Sequence, residues 1–442
     1  MALSRFFGRG RDDAPPPPPE EPEAEAPEAE EEIPHDDHGA PELAPERAWR
    51  DRAEAVLPTG ASTGSKRAAS LYGDPADDLP THFASARGAL VRDVSGYEYI
   101  DCTMALGAVA LGYAEPKVTQ AVIEAASQGN VSALSSWREV ELAERLCSLM
   151  PFAERAQILK TGAEATAAAV RLARTYTGRE HVIGCGYFGW HDWASDARGV
   201  PAAVKSSLTR VPFNDIGALE RAVAAAGSTL AAIVLEPVVD VAPDIAWLAR
   251  ARALCDASGA ALVFDEVKTG FRVAVGGYQE VCGITPDLAS YGKAMANGYP
   301  VAAVVGKQAL MDAARDTWIS STLASEATAL AAALAVLDWH DEADICATLG
   351  ETGREMRSAI DRAIEASGLT GVSTLGIDHM WQIKWDDPSA ESRFLAEAMR
   401  GGVLFKRGAY NYAAIAHDEA ALLDIESAAS AAFVTVREGD GA

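Results

Sequence analysis

Six short apolar runs govern the reading of this chain: residues 157–159, 181–183, 231–235, 261–264, 288–291 and 301–305, with helix-patterned segments such as 245–257 between several of them. A strand that is apolar at successive positions has both faces covered, and short buried strands joined by crossover helices form a mostly parallel sheet. Glu236 and Asp265 each follow one of these runs and stand 29 positions apart, about one strand-helix-strand unit. The expected architecture is therefore α/β, with ligands received at the carboxyl ends of the strands.

Around that sheet the pattern changes. Residues 89–93 and 97–101 alternate about a Ser95-Gly96 turn, as in a hairpin. Val118, Ala121, Val122 and Ala125 stand at helical spacing within 116–128, as do Val140, Leu142, Leu146 and Leu149 within 139–149. A length of 442 residues accommodates more than one domain. The expected division is a tail over 1–47, an N-terminal arm with part of a small domain over 48–111, a large domain over 112–338, and the rest of the small domain over 339–442. Residues 1–47 hold 14 acidic and 4 basic side chains and 10 of the 22 prolines. So little apolar surface does not offset the entropy lost on ordering, so a disordered, acidic, Pro-rich tail is expected. Leu3, Phe6, Phe7, Arg9 and Arg11 within it form a candidate docking motif for a protein partner.

The net charge of −26 offers no footprint for a nucleic-acid backbone or an anionic membrane. No apolar run approaches the length of a membrane span and no signal-peptide pattern opens the chain, so a cytoplasmic protein is expected. The six cysteines are scattered without metal-ligand spacing, which reads as reduced thiols and no metal site.

One motif misleads. Gly184-Cys185-Gly186-Tyr187-Phe188-Gly189 fits GxGxxG directly after a strand. Asp192, Gly199 and Pro201 follow where a long helix would have to open, so dinucleotide binding is not expected. The chemistry sits elsewhere. The strand 157–159 leads into Lys160-Thr161-Gly162-Ala163-Glu164, the start of a helix whose free N–H groups suit a phosphate. The run 261–264 ends in Asp265, and the run 288–291 ends at Gly292-Lys293. A lysine ending a buried strand is desolvated, which lowers its pKa and makes it a nucleophile. An acid to keep a pyridine nitrogen protonated, an amine for a Schiff base, a helix start for phosphate and an aromatic ring at Tyr187 are what pyridoxal phosphate needs.

On these residues the chain resembles the class III, fold type I pyridoxal-phosphate aminotransferases, and most of all their glutamate-1-semialdehyde 2,1-aminomutase-like branch. The resemblance runs from Val91-Arg92-Asp93-Val94-Ser95-Gly96 to about Val305, and more weakly through Ser321-Thr322 to Asp418. Its most specific segments are Gly186-Tyr187-Phe188-Gly189-Trp190-His191-Asp192-Trp193, Asp265-Glu266-Val267 with Thr269-Gly270-Phe271-Arg272, and Tyr291-Gly292-Lys293-Ala294-Met295-Ala296-Asn297-Gly298-Tyr299-Pro300. It implies a fold type I transferase with a large, mostly parallel-sheet domain and a smaller α+β domain. Pyridoxal 5'-phosphate would lie between them, in a homodimer with shared active sites. Lys293 would carry the Schiff base and, once displaced, move the substrate proton; Asp265 would pair with the pyridinium nitrogen. Val267 and Tyr187 would cover the two ring faces, with Phe188 beside the ring. Gly162 and Ala163 would offer N–H groups to the phosphate, with the Thr161 hydroxyl near them. Ser321 and Thr322 would reach the phosphate of the neighbouring subunit, and Glu236 would stand near the edge of the cofactor.

The departures from the family pattern bear on substrate more than on chemistry. Thr161-Gly162-Ala163 replaces Ser-Gly-Thr or Asn-Gly-Ser at the phosphate turn, and Tyr187-Phe188-Gly189 replaces Tyr-His-Gly. Leu111-Gly112-Tyr113 stands for Leu-Gly-His, and Leu323-Ala324-Ser325-Glu326 for Phe-Gly-Gly-Glu. An amino-acid donor brings a carboxylate, for which Arg407 and Arg272 are candidate forks, while Trp137 and Trp190 could line the pocket. His191 and His417 read as structural. Transfer of an amino group from a small-molecule amine donor to an aldehyde or ketone acceptor is the leading expectation. An intramolecular 2,1-amino shift is the alternative, and a non-catalytic scaffold recruited through the tail is the third.

Overall fold

The structure, a computed structural model, describes residues 46–73 and 79–440. The expected tail lies outside these residues up to position 45, and Glu46 and Arg47, placed at its end, open the helix Glu46–Val56. The first strands, β1 (Phe83–Arg87), β2 (Leu90–Asp93) and β3 (Glu98–Asp101), form an antiparallel meander with Leu90 opposite Ile100. Asp93 fixes the expected turn, because its Oδ1 accepts from the N–H groups of Ser95 and Tyr97.

Seven strands follow: β4 (Arg155–Leu159), β5 (His181–Cys185), β6 (Leu208–Arg210), β7 (Leu230–Leu235), β8 (Ala261–Asp265), β9 (Leu288–Tyr291) and β10 (Ala302–Gly306). They build one sheet in the order β4-β10-β9-β8-β7-β5-β6. All neighbours are parallel except β10, which runs against both β4 and β9. Every residue of β7 is buried, as a central strand with two covered faces requires. Alternate side chains divide between the faces. Ile233, Leu235, Leu262 and Phe264 join one core, while Ala232, Val234 and Val263 join another with Ala165, Ala169 and Leu172 of the helix Gly162–Thr177. A Phe264→Ala change in such packing would cost about 3–5 kcal/mol.

The remaining strands are β11 (Val372–Ile377), β12 (Met380–Trp385), β13 (Val403–Leu404) and β14 (Asn411–Tyr412). β11, β12 and β14 form a small antiparallel sheet, and β13 lies parallel to β3, joining chain segments about 300 residues apart. The helices Ile345–Ser367, Pro388–Arg400 and Glu419–Asp440 cover a second core. Phe394 and Phe433 stack at its centre, 4.4 Å between ring centroids, beside Phe405. Among the described residues no helix is long and apolar enough to cross a membrane.

What this arrangement supplies is one crowded edge. β4, β5, β7, β8 and β9 run the same way, so the loops after Leu159, Cys185, Leu235, Asp265 and Tyr291 all leave from the same side of the sheet.

Candidate active site

β4 delivers the chain to the helix Gly162–Thr177 through a capping box. The Thr161 hydroxyl accepts from the Glu164 N–H, and the Glu164 carboxylate accepts from the Thr161 and Lys160 N–H groups. Thr161 is thus engaged with its own helix. Gly162 and Ala163 occupy the first two helical positions, where N–H groups have no intrahelical acceptor. Gly162 faces Val267 so closely that a Cβ there would lie 2.7 Å from Val267 Cγ1, and the Gly162 nitrogen is near Gly292. The helix start, Val267 and the turn before Lys293 therefore converge.

β8 ends in Asp265, which is buried. Its Oδ1 accepts from the Val267 N–H at 3.1 Å, and its Oδ2 lies 2.9 Å from the Thr166 hydroxyl. That hydroxyl also lies 3.0 Å from the Gly162 carbonyl and 2.9 Å from Ser290 Oγ, so its single proton serves one acceptor at a time. Burial, and then the negative charge of Glu236, raise the Asp265 pKa against the stabilising effect of those hydrogen bonds.

β9 ends at Tyr291, and Gly292 leads to Lys293, whose φ of 49° lies in the left-handed region. A non-glycine residue there carries strain of the order of 1 kcal/mol, a feature that gathers at functional sites. Burial first, then the charge of Lys268, lower the Lys293 pKa to about 8. At pH 7 that leaves roughly a tenth of the amine uncharged, far more than for an ordinary lysine.

Glu236, after β7, is buried and links three strand ends. Its Oε2 accepts from the Tyr187 N–H at 2.8 Å, and its Oε1 pairs with Lys268 Nζ at 2.9 Å. Gly186, at φ 126°, permits this approach, since a Cβ there would stand 2.7 Å from Glu236. The Tyr187 ring is 73% exposed, on the open side of the same edge.

Several expected residues lie otherwise. Phe188 is no part of the open site; its ring is buried, stacked on Trp193 at 5.5 Å and packed against Gly184, where a Cβ would meet it at 2.9 Å. Arg272 is fully buried, and its guanidinium donates to the carbonyls of Ala413, Gly107 and Val109 at 2.8, 3.1 and 3.1 Å, so it clamps loops together and is not free for a substrate acid. Arg407 is turned to Glu391 at 3.7 Å and to the Ala69 carbonyl at 3.3 Å. Trp137 opens the helix Trp137–Leu149 with Arg138 over its ring, and Trp190 stands edge-on to His191; both are exposed. Ser321 and Thr322 lie in the loop before Glu326, which caps the helix Ala327–Glu342 and pairs with Lys160 at 2.7 Å. The GxGxxG segment opens no long helix; only the short turn Asp192–Ala194 follows it.

Thr166, Ser290 and Lys268 carry no role expected from the sequence. A polar Ser290 in an otherwise apolar run was one available signal, and Thr166 one helical turn after Gly162 was another.

The pieces present fit pyridoxal phosphate: open N–H groups beside a close-packed glycine, a buried acid whose raised pKa a cationic ring nitrogen would bring back down, and an amine with a low pKa. The comparisons agree. Residues 72–415 match the model of the family described as aminotransferase class-III. The chain is 33% identical over 328 residues to the 3-aminobutyryl-CoA aminotransferase of Cloacimonas acidaminovorans, covering 72% of this chain and 78% of that one. It is 31% identical over 425 residues to a glutamate-1-semialdehyde 2,1-aminomutase of Polynucleobacter necessarius, covering 87% and 97%. In three dimensions it is similar to the FumI protein of Sphingopyxis sp. MTA144, solved in its PLP internal aldimine form, with a TM-score of 0.85, 29% identity and coverage of 90% and 97%.

Proposed function

This chain belongs to the class III aminotransferases, enzymes dependent on pyridoxal phosphate, and from that premise we propose that it moves an amino group from an amino-acid donor to an aldehyde or ketone, with Lys293 as the reactive lysine. The observation that carries the reading is the meeting, on one sheet edge, of the Lys293 amine, the buried Asp265 and the open helix start at Gly162 and Ala163.

When bound, pyridoxal phosphate supplies an aldehyde that condenses with amines and a ring that takes up electrons from the carbon losing its proton. The chain does the rest. The N–H groups of Gly162 and Ala163 receive the phosphate at the positive end of their helix. Asp265 holds a proton on the ring nitrogen, kept in place by the Val267 N–H and the Thr166 hydroxyl. Val267, packed against the Gly162 helix start, would cover one ring face, and the exposed Tyr187 would cover the other. Lys293 Nζ would hold the cofactor and, as a free amine, would be the base that takes up and gives back the substrate's proton. Glu236 borders the site.

The same reading includes a homodimer. Leu134, Trp137, Val140, Trp318 and Leu323 are large apolar side chains left exposed on this single chain, and a second copy would cover them. Thr322 would then serve the phosphate of the neighbouring subunit.

The test is incubation of purified protein and pyridoxal phosphate with a panel of amines, with and without a keto-acid acceptor. Release of a keto product from the donor, dependent on Lys293, is expected. Complete conversion of a lone substrate with no keto product would replace transfer by the intramolecular amino shift.

A further inference from the structure

The chain between β9 and β10 carries Lys293 and is fixed unevenly. On the near side the sheet holds it, with Tyr291 opposite Ala303. Beyond Lys293 the sheet does not resume until Ala302. The residues between begin with one short helical turn, Lys293–Ala296, closed by the Asn297 N–H on the Ala294 carbonyl at 3.3 Å. Both ends of that turn lie in the left-handed region, Lys293 at φ 49° and Asn297 at φ 47°. Strained backbone of this kind persists only where surrounding contacts over-determine it.

Asn297 supplies such contacts. It is buried, and its Oδ1 accepts from the Ala110 N–H at 2.9 Å and from the Leu111 N–H at 3.0 Å, while its Nδ2 donates to the Gly112 carbonyl at 2.9 Å. Both lone pairs of the amide oxygen are thereby used on one stretch of chain. Asparagine tolerates a left-handed backbone better than most residues, but that tolerance needs no partner 185 residues away. The stretch reached is the one that Arg272, seven positions after Asp265, grips through the Gly107 and Val109 carbonyls. The loops after β8 and β9 are thus bolted to the same piece of chain, residues 107–112, one by a guanidinium and the other by a carboxamide. Gly298 adds a close approach, since a Cβ there would stand 3.2 Å from Val109 Cγ2.

We propose that Asn297 is a positioning residue for Lys293: by gripping residues 110–112, its carboxamide fixes the turn that presents the amine, and fixes it to the chain on which the Asp265 loop is also anchored. The proposal rests on the reading of Lys293 as the reactive lysine. It differs from two plainer roles: a residue kept only for its left-handed backbone, and an amide kept only to satisfy the buried N–H groups of Ala110 and Leu111. In the first, glycine would replace it without loss. In the second, its removal would lower stability, and the folded protein would still react at the wild-type rate.

The experiment uses Asn297→Gly, which keeps the left-handed backbone and removes the carboxamide, and Asn297→Ala, which removes the carboxamide and keeps the strain. The full-length chain is stripped of cofactor, and two quantities are measured per folded protein. The first is the rate of covalent capture of pyridoxal phosphate, followed by absorbance. The second is the affinity for pyridoxamine phosphate, which has the same ring and phosphate but no aldehyde to condense with the lysine. In Asn297→Gly the capture rate should fall about tenfold or more, with the pyridoxamine phosphate affinity unchanged, because the Gly162 helix start and Asp265 keep their places. Asn297→Ala should show the same slowing at a lower melting temperature, and Asn297→Gly carries the test should Asn297→Ala fail to fold. An unchanged capture rate in Asn297→Gly overturns the proposal. So does an equal loss of capture rate and pyridoxamine phosphate affinity, which would trace the effect to a loosening of the whole site. Borohydride reduction of the wild-type holoenzyme followed by peptide mapping tests the premise separately. Cofactor fixed to a lysine other than Lys293 would end the functional reading whatever the rates were.

Discussion

Asp265 and Glu266 are neighbours at the end of β8, both buried carboxyls whose pKa is raised first of all by burial, yet they serve opposite sides of the strand. Glu266 points away from the site. Its Oε2 accepts from the Thr269 hydroxyl and from the Tyr278 N–H, and its Oε1 accepts from the Gln279 N–H. Three donors from one loop, residues 269–279, converge on it, so Glu266 holds that loop together. Asp265 has one backbone donor and a hydroxyl that it shares with other acceptors, and its pKa is raised further by the charge of Glu236. The contrast shows that burial and a displaced pKa do not by themselves mark a site. The distinguishing property is capacity that the chain leaves open for something else.

That contrast can be broken or sharpened by experiment. Lys293→Ala has the largest expected effect: turnover falling more than about a thousandfold, with the circular dichroism spectrum unchanged, measured as keto product released per folded enzyme. Asp265→Asn should follow, lowering turnover by roughly a hundredfold or more with little change in melting temperature. If Asp265→Asn kept wild-type rates, the open side of β8 would not be the functional one. Glu266→Ala should do the reverse. It leaves two buried N–H groups and a hydroxyl without an acceptor, costing about 2–4 kcal/mol in urea unfolding, while the folded fraction keeps its affinity for cofactor. Loss of cofactor binding at full stability would erase the distinction between the two acids.

A pH effect of intermediate size follows from Lys293. Its pKa is lowered to about 8, so its amine is increasingly protonated as pH falls below that value and increasingly free above it. The rate of covalent cofactor capture, followed by absorbance, should drop about tenfold per pH unit below the midpoint and level off above it. A flat profile below pH 8 would show that Lys293 is not titrating there. The smallest effect belongs to Thr161→Val. Removing the cap should cost about 1 kcal/mol of stability, seen as a small fall in melting temperature. A far larger loss of cofactor affinity would instead give the Thr161 hydroxyl the phosphate contact that its capping role argues against.

Much of this was legible before any coordinates, and the reasons differ from residue to residue. Asp265 and Lys293 end apolar runs, and a parallel sheet puts such ends on a common edge. The helix start at Gly162 needed only the residues from 157 to 166. Phe188 was misread because a motif position says nothing about which side of a turn its side chain takes. Arg272 was misread because its partners stand far away in the chain, the nearest of them, Ala413, 141 residues on. Lys268 was visible as a letter three places after Asp265, but its burial between Glu236 and the Tyr410 ring depends on segments far away in the chain.

The sequence alone therefore determined the strand-helix alternation, the polarity of the sheet and the identity of the chemical groups at its carboxyl edge, because each is a property of short stretches of chain with a definite period. The tertiary structure alone decided that β10 runs against its neighbours and that Glu266 is a structural acid. It alone decided that Arg272 is closed to ligands and that Lys268 pairs with Glu236. These depend on which distant groups arrive first at a buried donor or acceptor, and hydrogen bonding in a dry interior is settled by proximity in space, which no local pattern records.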